Sequence, residues 1–395
     1  MNNQGFINTE IGCFPKGWSI ICLGDYIVDI NDGPFGSNLK TEHYTSKREV
    51  RIIQLGNVGD NGWNNDNVKY TTYEHAATLK RCIVPYGSVI IAKMMPAGRA
   101  ILCPSSEPMY IQGSDVIKVS FSDAISKEFF IYLTKSKAYI DQIESSVQGS
   151  TRARTNIGKI KTLKLPLPPR EEQDRIADAL SSMDALIASL DEVIQKKRQI
   201  KEGLMQTFFT GRKCLSGSVE WKESTLGYLA DICKGVQFDT DLFTEGGKYP
   251  MLNGGITPSG YSEYYNTEAE TITISEGGNS CGYVNYMTEK FWCGGHCYSL
   301  KVHSSVDKLF LYQLLKFNEK AIMALRVGSG LPNVQGKVLS KFPLKYPASI
   351  KEQRAISEIL NKADQEIMAL ESQRDKYALI KQGMMQELLT GKTRL

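Results

Sequence analysis

Apolar residues recur with a helical period in two long stretches of the chain. In the first stretch they stand three or four residues apart, at positions 176, 180, 183, 187, 190 and 194. In the second they stand at 356, 360, 363, 367 and 370, and the register continues to Leu388. This spacing places the apolar side chains on one face, so each stretch is predicted to form an amphipathic helix. A helix of about 40 residues is about 60 Å long, which exceeds the diameter of a small domain.

The two helical stretches are copies of one another. An offset of 180 residues aligns 172–211 with 352–391 without a gap, and 15 of the 40 aligned positions are identical. Average composition would give about two or three identities over that length. Both copies carry Glu-Gln near the start and Thr-Gly at the end, and both follow prolines, which fits helix boundaries. The chain is therefore an internal repeat, in which a globular part is followed each time by a long helix.

The segments ahead of the two helices are rich in glycine, asparagine and tyrosine. Their short β-branched runs, such as 51–55, 88–92 and 271–274, predict strands joined by turns. Each segment also ends in a predicted helix, over 127–145 and 307–325. We therefore assign the chain to the α+β class. The predicted bounds are 1–165 for the first globular domain, 166–212 for the first long helix, 213–346 for the second globular domain and 347–395 for the second long helix.

The first long helix carries a second row of apolar residues at heptad spacing: Ala179, Leu186, Val193 and Ile200. With this row, which we call the second apolar row, the helix has a wider apolar face than a two-helix seam requires. The equivalent row of the second copy is weaker and contains a glutamate and a glutamine. We expect the second apolar row to bind another protein subunit. A coiled coil without a partner is the alternative.

Positive charge is concentrated in the centre of the chain. The net charge is only +4, but residues 150–213 contain 13 basic and 8 acidic side chains. A basic stretch beside a globular domain is typical of a surface that contacts nucleic-acid phosphates, although a solvated helix and loop would have the same charge. The candidate contacts in this region are Gln148, Ser150, Arg152, Arg154 and Lys159.

The sequence contains no motif for catalysis or nucleotide binding. Gly391-Lys392-Thr393 lacks the earlier glycine of a phosphate-binding loop, and the four histidines suggest no Ser-His-Asp set. One cluster has the residue types of a zinc site but not its spacing, so no metal is expected: Cys281, Cys293, His296 and Cys297. No apolar run is long enough for a membrane span, and the nine scattered cysteines are typical of reduced thiols. We expect a cytoplasmic protein that is not itself an enzyme.

Several short motifs carry a resemblance to a known family. They are Leu-Pro-Leu-Pro-Pro at 165–169 with Glu172-Gln173, the counterparts Pro343 and Glu352-Gln353, the two Thr-Gly helix ends, and Pro-Phe-Gly-Ser-Asn-Leu-Lys at 34–40. With the repeat, they resemble the specificity (S) subunits of type I restriction-modification systems over nearly the whole chain. The second domain departs from the pattern, because Gly235-Val236-Gln237 stands where the first has the Phe-Gly-Ser loop.

The resemblance implies that each globular domain is a target recognition domain that reads one half of a split double-stranded DNA site. It also implies that the helices dock two methyltransferase (M) subunits, to which restriction (R) subunits add. S-adenosylmethionine, ATP and magnesium would then be bound by those partners and none by this chain. A tandem repeat with pseudo-two-fold symmetry runs its helices antiparallel, so we expect an antiparallel coiled coil.

Polar loops supply the remaining candidate DNA contacts. In the first domain they are Gly36, Ser37, Asn38 and Lys40; in the second they are Gln237, Asn253, Thr257, Ser259, Tyr261 and Asn279. Three alternatives to the main interpretation stay open. The chain could serve a related system whose nuclease and methylase share one polypeptide, it could be an anti-restriction mimic of the same fold, or it could be a scaffold without DNA contacts. The recognised DNA sequence cannot be read from the chain.

Overall fold

The computed structural model describes residues 5–94, 96–147, 154–215, 217, 220–238, 243–328, 330 and 332–395. The chain folds into two compact units, Met1–Ser189 with Arg374–Leu395, and Leu190–Gln373. The boundary between the units falls inside each of the two long helices. Both units contain sheets and helices, so the predicted α+β class is confirmed.

The first unit begins with fifteen strands and four short helices, described in chain order. The strands are β1 Phe6–Thr9, β2 Gly12–Pro15, β3 Ser19–Cys22, β4 Ile27–Asp32, β5 Tyr44–Thr45, β6 Val50–Ile53, β7 Val58–Gly59, β8 Gly62–Trp63, β9 Tyr70–Thr71, β10 Ile83–Val84, β11 Val89–Ala92, β12 Ala100–Leu102, β13 Tyr110–Gln112, β14 Val116–Phe121 and β15 Lys164–Leu167. The helices are α1 Tyr73–Thr78, α2 Lys127–Leu133, α3 Lys137–Val147 and α4 Ile157–Lys161, and the first long helix is α5 Arg170–Phe209.

Two sheets form the body of the first unit. One is antiparallel with the order β12-β11-β14-β4, and the other has the order β10-β13-β6-β9-β5 with β13 parallel to β6. Every residue of β11 is buried, because a separate apolar cluster lies on each face of that strand. Alternate residues therefore enter different cores, which explains the continuous apolar run in the sequence.

The second unit contains the remaining strands and helices. They are β16 Trp221–Thr225, β17 Ala230–Lys234, β18 Tyr249–Leu252, β19 Gly260–Ser262, β20 Thr271–Ser275, β21 Val284–Met287, β22 Trp292–Cys293, β23 Cys297–Val302 and β24 Pro343–Pro347, with α6 Leu226–Leu229, α7 Lys308–Phe317, α8 Glu319–Met323, α9 Gly336–Ser340 and the second long helix α10 Ile350–Leu388. An antiparallel sheet has the order β17-β23-β20-β21, and a smaller sheet has the order β19-β18-β22. Its main core contains Phe310, Leu311 and Leu314 of α7.

The repeated Glu-Gln motif fastens the start of each long helix to its own unit. In the first unit, buried Gln173 accepts a hydrogen bond from Ser126 N–H at 2.8 Å and donates one to the Pro168 carbonyl at 2.9 Å. In the second unit, Gln353 accepts from Asp307 N–H at 2.8 Å and donates to the Pro347 carbonyl at 2.9 Å. Since buried amides require partners, these bonds give the motif a structural role in both repeats.

Each unit also contains one polar contact between parts of the two long helices. In the first unit, Lys381 pairs with Asp184, which also accepts from Tyr132 Oη at 2.8 Å. Burial, followed by the hydrogen bond to Asp184, raises the pKa of Tyr132, so its hydroxyl stays a donor. In the second unit, Lys201 Nζ lies 2.6 Å from Asp364, which accepts from Gln313 at 2.7 Å. The two ion pairs are equivalent under the 180-residue offset.

The predicted terminal helices are each interrupted. The helix expected over 127–145 is divided into α2 and α3, with Ser136 in the break accepting a hydrogen bond from Tyr139 N–H at 3.3 Å. The helix expected over 307–325 divides at Asn318 into α7 and α8. In both places a side chain that caps helix ends interrupts an apolar pattern that continues across the break, so periodicity alone predicted one helix.

Candidate nucleic-acid interface

A cleft of about 1250 Å³ opens on the first unit. Four stretches of chain meet there: the loop after β4, the turn after α1, the loop between β13 and β14, and the segment that enters α4. Three of the predicted DNA contacts, Gly36, Asn38 and Arg154, line this cleft. Arg154 lies 116 residues after Asn38 in the sequence, so the fold brings together candidates that the sequence places far apart.

The loop after β4, residues 34–40, forms the open rim of the cleft. Pro34 is buried, whereas Phe35 is 83% exposed. Asn38 N–H donates to the Phe35 carbonyl at 2.8 Å, which closes a turn. A Cβ atom at Gly36 would have no neighbour within 4 Å, so the backbone there is accessible to a large ligand. Ser37 and Lys40 are also exposed on this loop.

The cationic groups of the cleft differ in how firmly they are held. Lys93 is buried, lies 2.7 Å from Asp32 and donates to the Ser114 carbonyl at 2.8 Å. By contrast, Arg154 Nη2 forms an ion pair of 2.8 Å with Asp115 in which both side chains are at least one-third exposed. Exposed pairs contribute only about 0–1 kcal/mol. A phosphate can therefore replace Asp115 as the partner of Arg154 at little cost.

The sequence did not identify two further cations of the cleft, Lys80 and Arg81. Both are exposed, and Arg81 Nη2 donates to Asn31 Oδ1 at 3.2 Å, also at the cleft. The available signal was an adjacent basic pair just after a predicted turn. That signal is weak because the first 149 residues have a net charge of −1 and contain many isolated surface charges.

Lys159 does not line the cleft. Its ammonium group donates to the Ser146 carbonyl, and its backbone N–H is capped by Asn156 Oδ1 at 3.0 Å. These bonds connect the start of α4 to α3, so the ammonium group already has a partner within the protein. A phosphate contact at Lys159 stays a prediction. Gln148, Ser150 and Arg152 lie outside the described residues.

The candidates of the second unit fall into two groups. Gln237 and Asn253 lie beside the turn that joins β22 to β23, where Asn253 Oδ1 accepts from His296 N–H at 3.1 Å. The loop that carries Asn279 reaches the same region, because Ser280 Oγ donates to the Gly254 carbonyl at 2.6 Å. The half-buried Asn253 is therefore partly occupied with holding the turn, whereas Gln237 and Asn279 are exposed.

The other three candidates of this unit lie on the hairpin formed by β18 and β19. Thr257 and Ser259 are exposed in its loop, and Tyr261 is 49% exposed on β19. Tyr264 and Tyr265 follow on the same surface, and Lys290 Nζ lies 4.3 Å from the Tyr265 ring centroid. This surface offers aromatic rings and hydroxyl groups but few cations, so the two units present different chemistry to a ligand.

The second apolar row is largely accessible. Leu186 and Val193 are each 38% exposed and Ile200 is 57% exposed, whereas Ala179 is half-buried against the core of the first unit. Three of its four residues therefore offer apolar surface to a partner, and Ala179 does so less. On the second long helix, Ile380 at the position equivalent to Ile200 is also exposed.

Comparison with known proteins identifies the family. Residues 15–202 and 218–378 match the model of the type I restriction modification DNA specificity domain, which is thus present twice. The chain belongs to this family. As the resemblance in the sequence implied, it is a specificity subunit of the type I kind. The specificity-domain matches cover both globular parts and most of both long helices.

Individual relatives agree with this membership. A Mycoplasma pneumoniae protein named as a type I specificity subunit is 34% identical over 173 residues, which are 42% of this chain and 46% of the relative. That match thus spans about half the length of the relative. A Methanocaldococcus jannaschii protein named as a type I restriction enzyme specificity subunit is 22% identical over 99% of this chain and 97% of its own. The crystal structure of the type I S subunit from M. genitalium superposes with a TM-score of 0.70 at 19% identity, covering 94% of this chain and 96% of that one, which shows a shared fold.

The cysteine and histidine cluster of the specificity subunit is not arranged as a metal site. Across the described residues, no group of three or more His, Cys, Asp or Glu side chains is positioned to hold a metal ion. Cys293 Sγ donates to the Cys297 carbonyl at 3.6 Å, and both thiols are buried. The hydrogen bond with Cys293, together with burial, raises the pKa of Cys297, so that thiol stays protonated.

Among the described helices, none combines the length and apolar character needed to cross a membrane.

Proposed function

We propose that this specificity subunit is the non-catalytic, DNA-reading component of a type I restriction-modification complex, and that each unit reads one half of a split double-stranded DNA site. The observation that carries this proposal is the cleft of the first unit. There the exposed 34–40 loop lies beside Arg81 and Arg154, whose partners in the protein are exchangeable. Amide groups pair with base edges, and arginines pair with phosphates or guanine. The cleft therefore supplies both classes of contact on one surface.

We also propose that the long helices form an antiparallel coiled coil with pseudo-two-fold symmetry. The two ion pairs support this arrangement, because Asp184 with Lys381 and Lys201 with Asp364 exchange roles under the 180-residue offset. As the residue number rises along α5, the number of its partner on α10 falls, which is the signature of antiparallel pairing. Buried polar pairs of this kind often specify the register of a coil.

The exposed apolar residues of the long helices are the proposed docking surface for two methyltransferase subunits. Leu186, Val193 and Ile200 lie seven residues apart, as in a heptad pattern, and apolar positions on a coil that are not buried within it favour another protein. Restriction subunits would join through the methyltransferases. S-adenosylmethionine, ATP and magnesium would be bound by these partner subunits.

Methylome sequencing tests the proposal. The chain is expressed with its methyltransferase subunits in cells that lack other adenine methylation, and the methyltransferases alone serve as the control. A two-part motif with a fixed spacer, methylated on both strands and absent from the control, is the expected result. Methylation of an undivided motif, or the same motif without the chain, would contradict the assignment of recognition to this subunit.

A further inference from the structure

The 34–40 loop is held at its end by a stacked pair of histidines. His43 follows the loop, and His75 lies on α1; their ring centroids are 3.9 Å apart with the planes inclined by 24°. His43 Nδ1 lies 3.0 Å from the backbone nitrogen of Lys40, and His75 Nε2 lies 3.0 Å from the carbonyl oxygen of Asn38. The two rings thus bind the main chain of the loop at two points, two residues apart.

The partners decide which ring nitrogens carry protons. The Lys40 backbone N–H can only donate, so His43 Nδ1 must be an unprotonated acceptor. The Asn38 carbonyl can only accept, so His75 Nε2 must carry the hydrogen. His43 is therefore neutral in this arrangement, with its proton on Nε2. A proton added at Nδ1 would turn one N–H toward another and break the bond to Lys40.

The surroundings of the pair do not reverse this requirement. The nearest charged group is Glu42, whose carboxylate lies 3.7 Å from His43 Nε2, is 67% exposed, and is shared with Lys40 Nζ at 3.5 Å. On the side of β9 and α1 the contacts are neutral hydroxyl groups. Thr71 Oγ1 donates to the His43 carbonyl at 2.8 Å, and Thr72 Oγ1 accepts from His75 N–H at 3.1 Å. A stacked ring at 3.9 Å additionally disfavours charge on both histidines.

We propose that His43 and His75 are positioning residues that hold the 34–40 loop in its DNA-contacting conformation, and that this hold requires a neutral His43. The inference rests on the proposed DNA-reading function of the cleft. The ordered loop binds fewer protons than the released loop, so its stability falls as the pH falls through the range in which histidine becomes charged. Recognition of one half-site should therefore weaken in acid, while recognition of the other half-site is independent of His43.

Conservative substitutions separate positioning from general stability. In His43→Asn, the amide oxygen takes the place of Nδ1 as an acceptor but cannot be protonated. In His75→Gln, the amide nitrogen takes the place of Nε2 as a donor. The alanine substitutions at both positions remove the bonds. His303→Asn is the matched control, because His303 lies in the second unit and contacts the Tyr228 carbonyl and Asp231.

The assay is fluorescence anisotropy with the complex of this chain and its methyltransferase subunits. The probes are a duplex carrying the motif found by methylome sequencing and two duplexes with one or the other half-site scrambled. Each alanine variant should weaken binding of the full motif by about three- to tenfold, as expected for one lost hydrogen bond, and His43→Asn and His75→Gln should restore it. On acidification from about pH 8 to about pH 5.5, wild type and His303→Asn should lose affinity while His43→Asn does not. The losses should vanish on one of the scrambled duplexes, the same one for every variant.

Two results would overturn the inference without touching the proposed function. One is wild-type affinity in both alanine variants, and the other is an acid loss in His43→Asn equal to that of wild type. The second comparison remains decisive if an alanine variant fails to fold, since wild type and His43→Asn keep the same hydrogen bond. Absence of motif-specific binding by the wild-type complex at about pH 8 would instead refute the proposed function, and this inference with it.

Discussion

Replacing Arg394 should destabilise the first unit, although this residue is half-exposed and follows the end of α10. Arg394 Nη2 lies 2.6 Å from Glu172 Oε2, and its Nε donates to Glu172 Oε1, so the pairing is bidentate. Glu172 is buried at the start of α5, with only 3% of its side chain exposed. Its one other hydrogen bond shown is with Trp18 Nε1, at 3.3 Å. Arg394→Ala would therefore leave a buried carboxylate with a single long bond from an indole.

The expected cost follows from the burial of the acceptor. Removing one partner of a fully buried pair costs about 3–5 kcal/mol, and a single hydrogen bond to a charged group contributes about 1.5–3 kcal/mol. Because Arg394 is 47% exposed, water replaces part of the lost interaction. We expect a loss of about 2–3 kcal/mol, which for a unit of about 200 residues lowers its unfolding temperature by about 4–12 °C.

Differential scanning calorimetry and hydrogen exchange measure this effect unit by unit. Exchange should accelerate across the first unit while the second stays unchanged. Lys392→Ala is the matched control, because Lys392 is exposed and only 4.0 Å from Glu387; its cost should stay within about 0.5 kcal/mol. In the Arg394→Ala background, Glu172→Gln should recover part of the loss, because a buried amide is cheaper than an unpaired carboxylate. Equal stability of Arg394→Ala and Lys392→Ala would refute the reasoning.

Three further predictions concern DNA and partner binding. Arg154→Ala should weaken DNA binding equally for all sequences and lower the salt slope by about one unit in a titration; a changed sequence preference at constant slope would contradict the phosphate contact. Leu186→Asp together with Val193→Asp should abolish co-purification with the methyltransferase subunits, whereas retention of the partner would place docking elsewhere. Exchange of residues 18–150 for the equivalent segment of a relative should change one half of the methylated motif and leave the other intact; changes in both halves would show that the two units do not read independently.

The sequence was sufficient for features that depend on local periodicity and repetition. The 180-residue offset predicted two equivalent halves, and the structure has long helices over Arg170–Phe209 and Ile350–Leu388. These features were readable because an amphipathic helix encodes its buried face at regular spacing. Breaks such as Ser136 and Asn318 were missed, because one capping residue changes the backbone without changing the apolar pattern.

Tertiary structure alone decided which polar residues share a site. Arg81, Asn38 and Arg154 line one cleft because three distant segments are held side by side by buried strands, and no spacing in the sequence encodes that meeting. It also separated Lys159, whose ammonium binds a carbonyl, from the exchangeable Arg154. Polar side chains acquire a role from the partners that remain after folding, whereas apolar side chains reveal theirs through burial, which follows a local period.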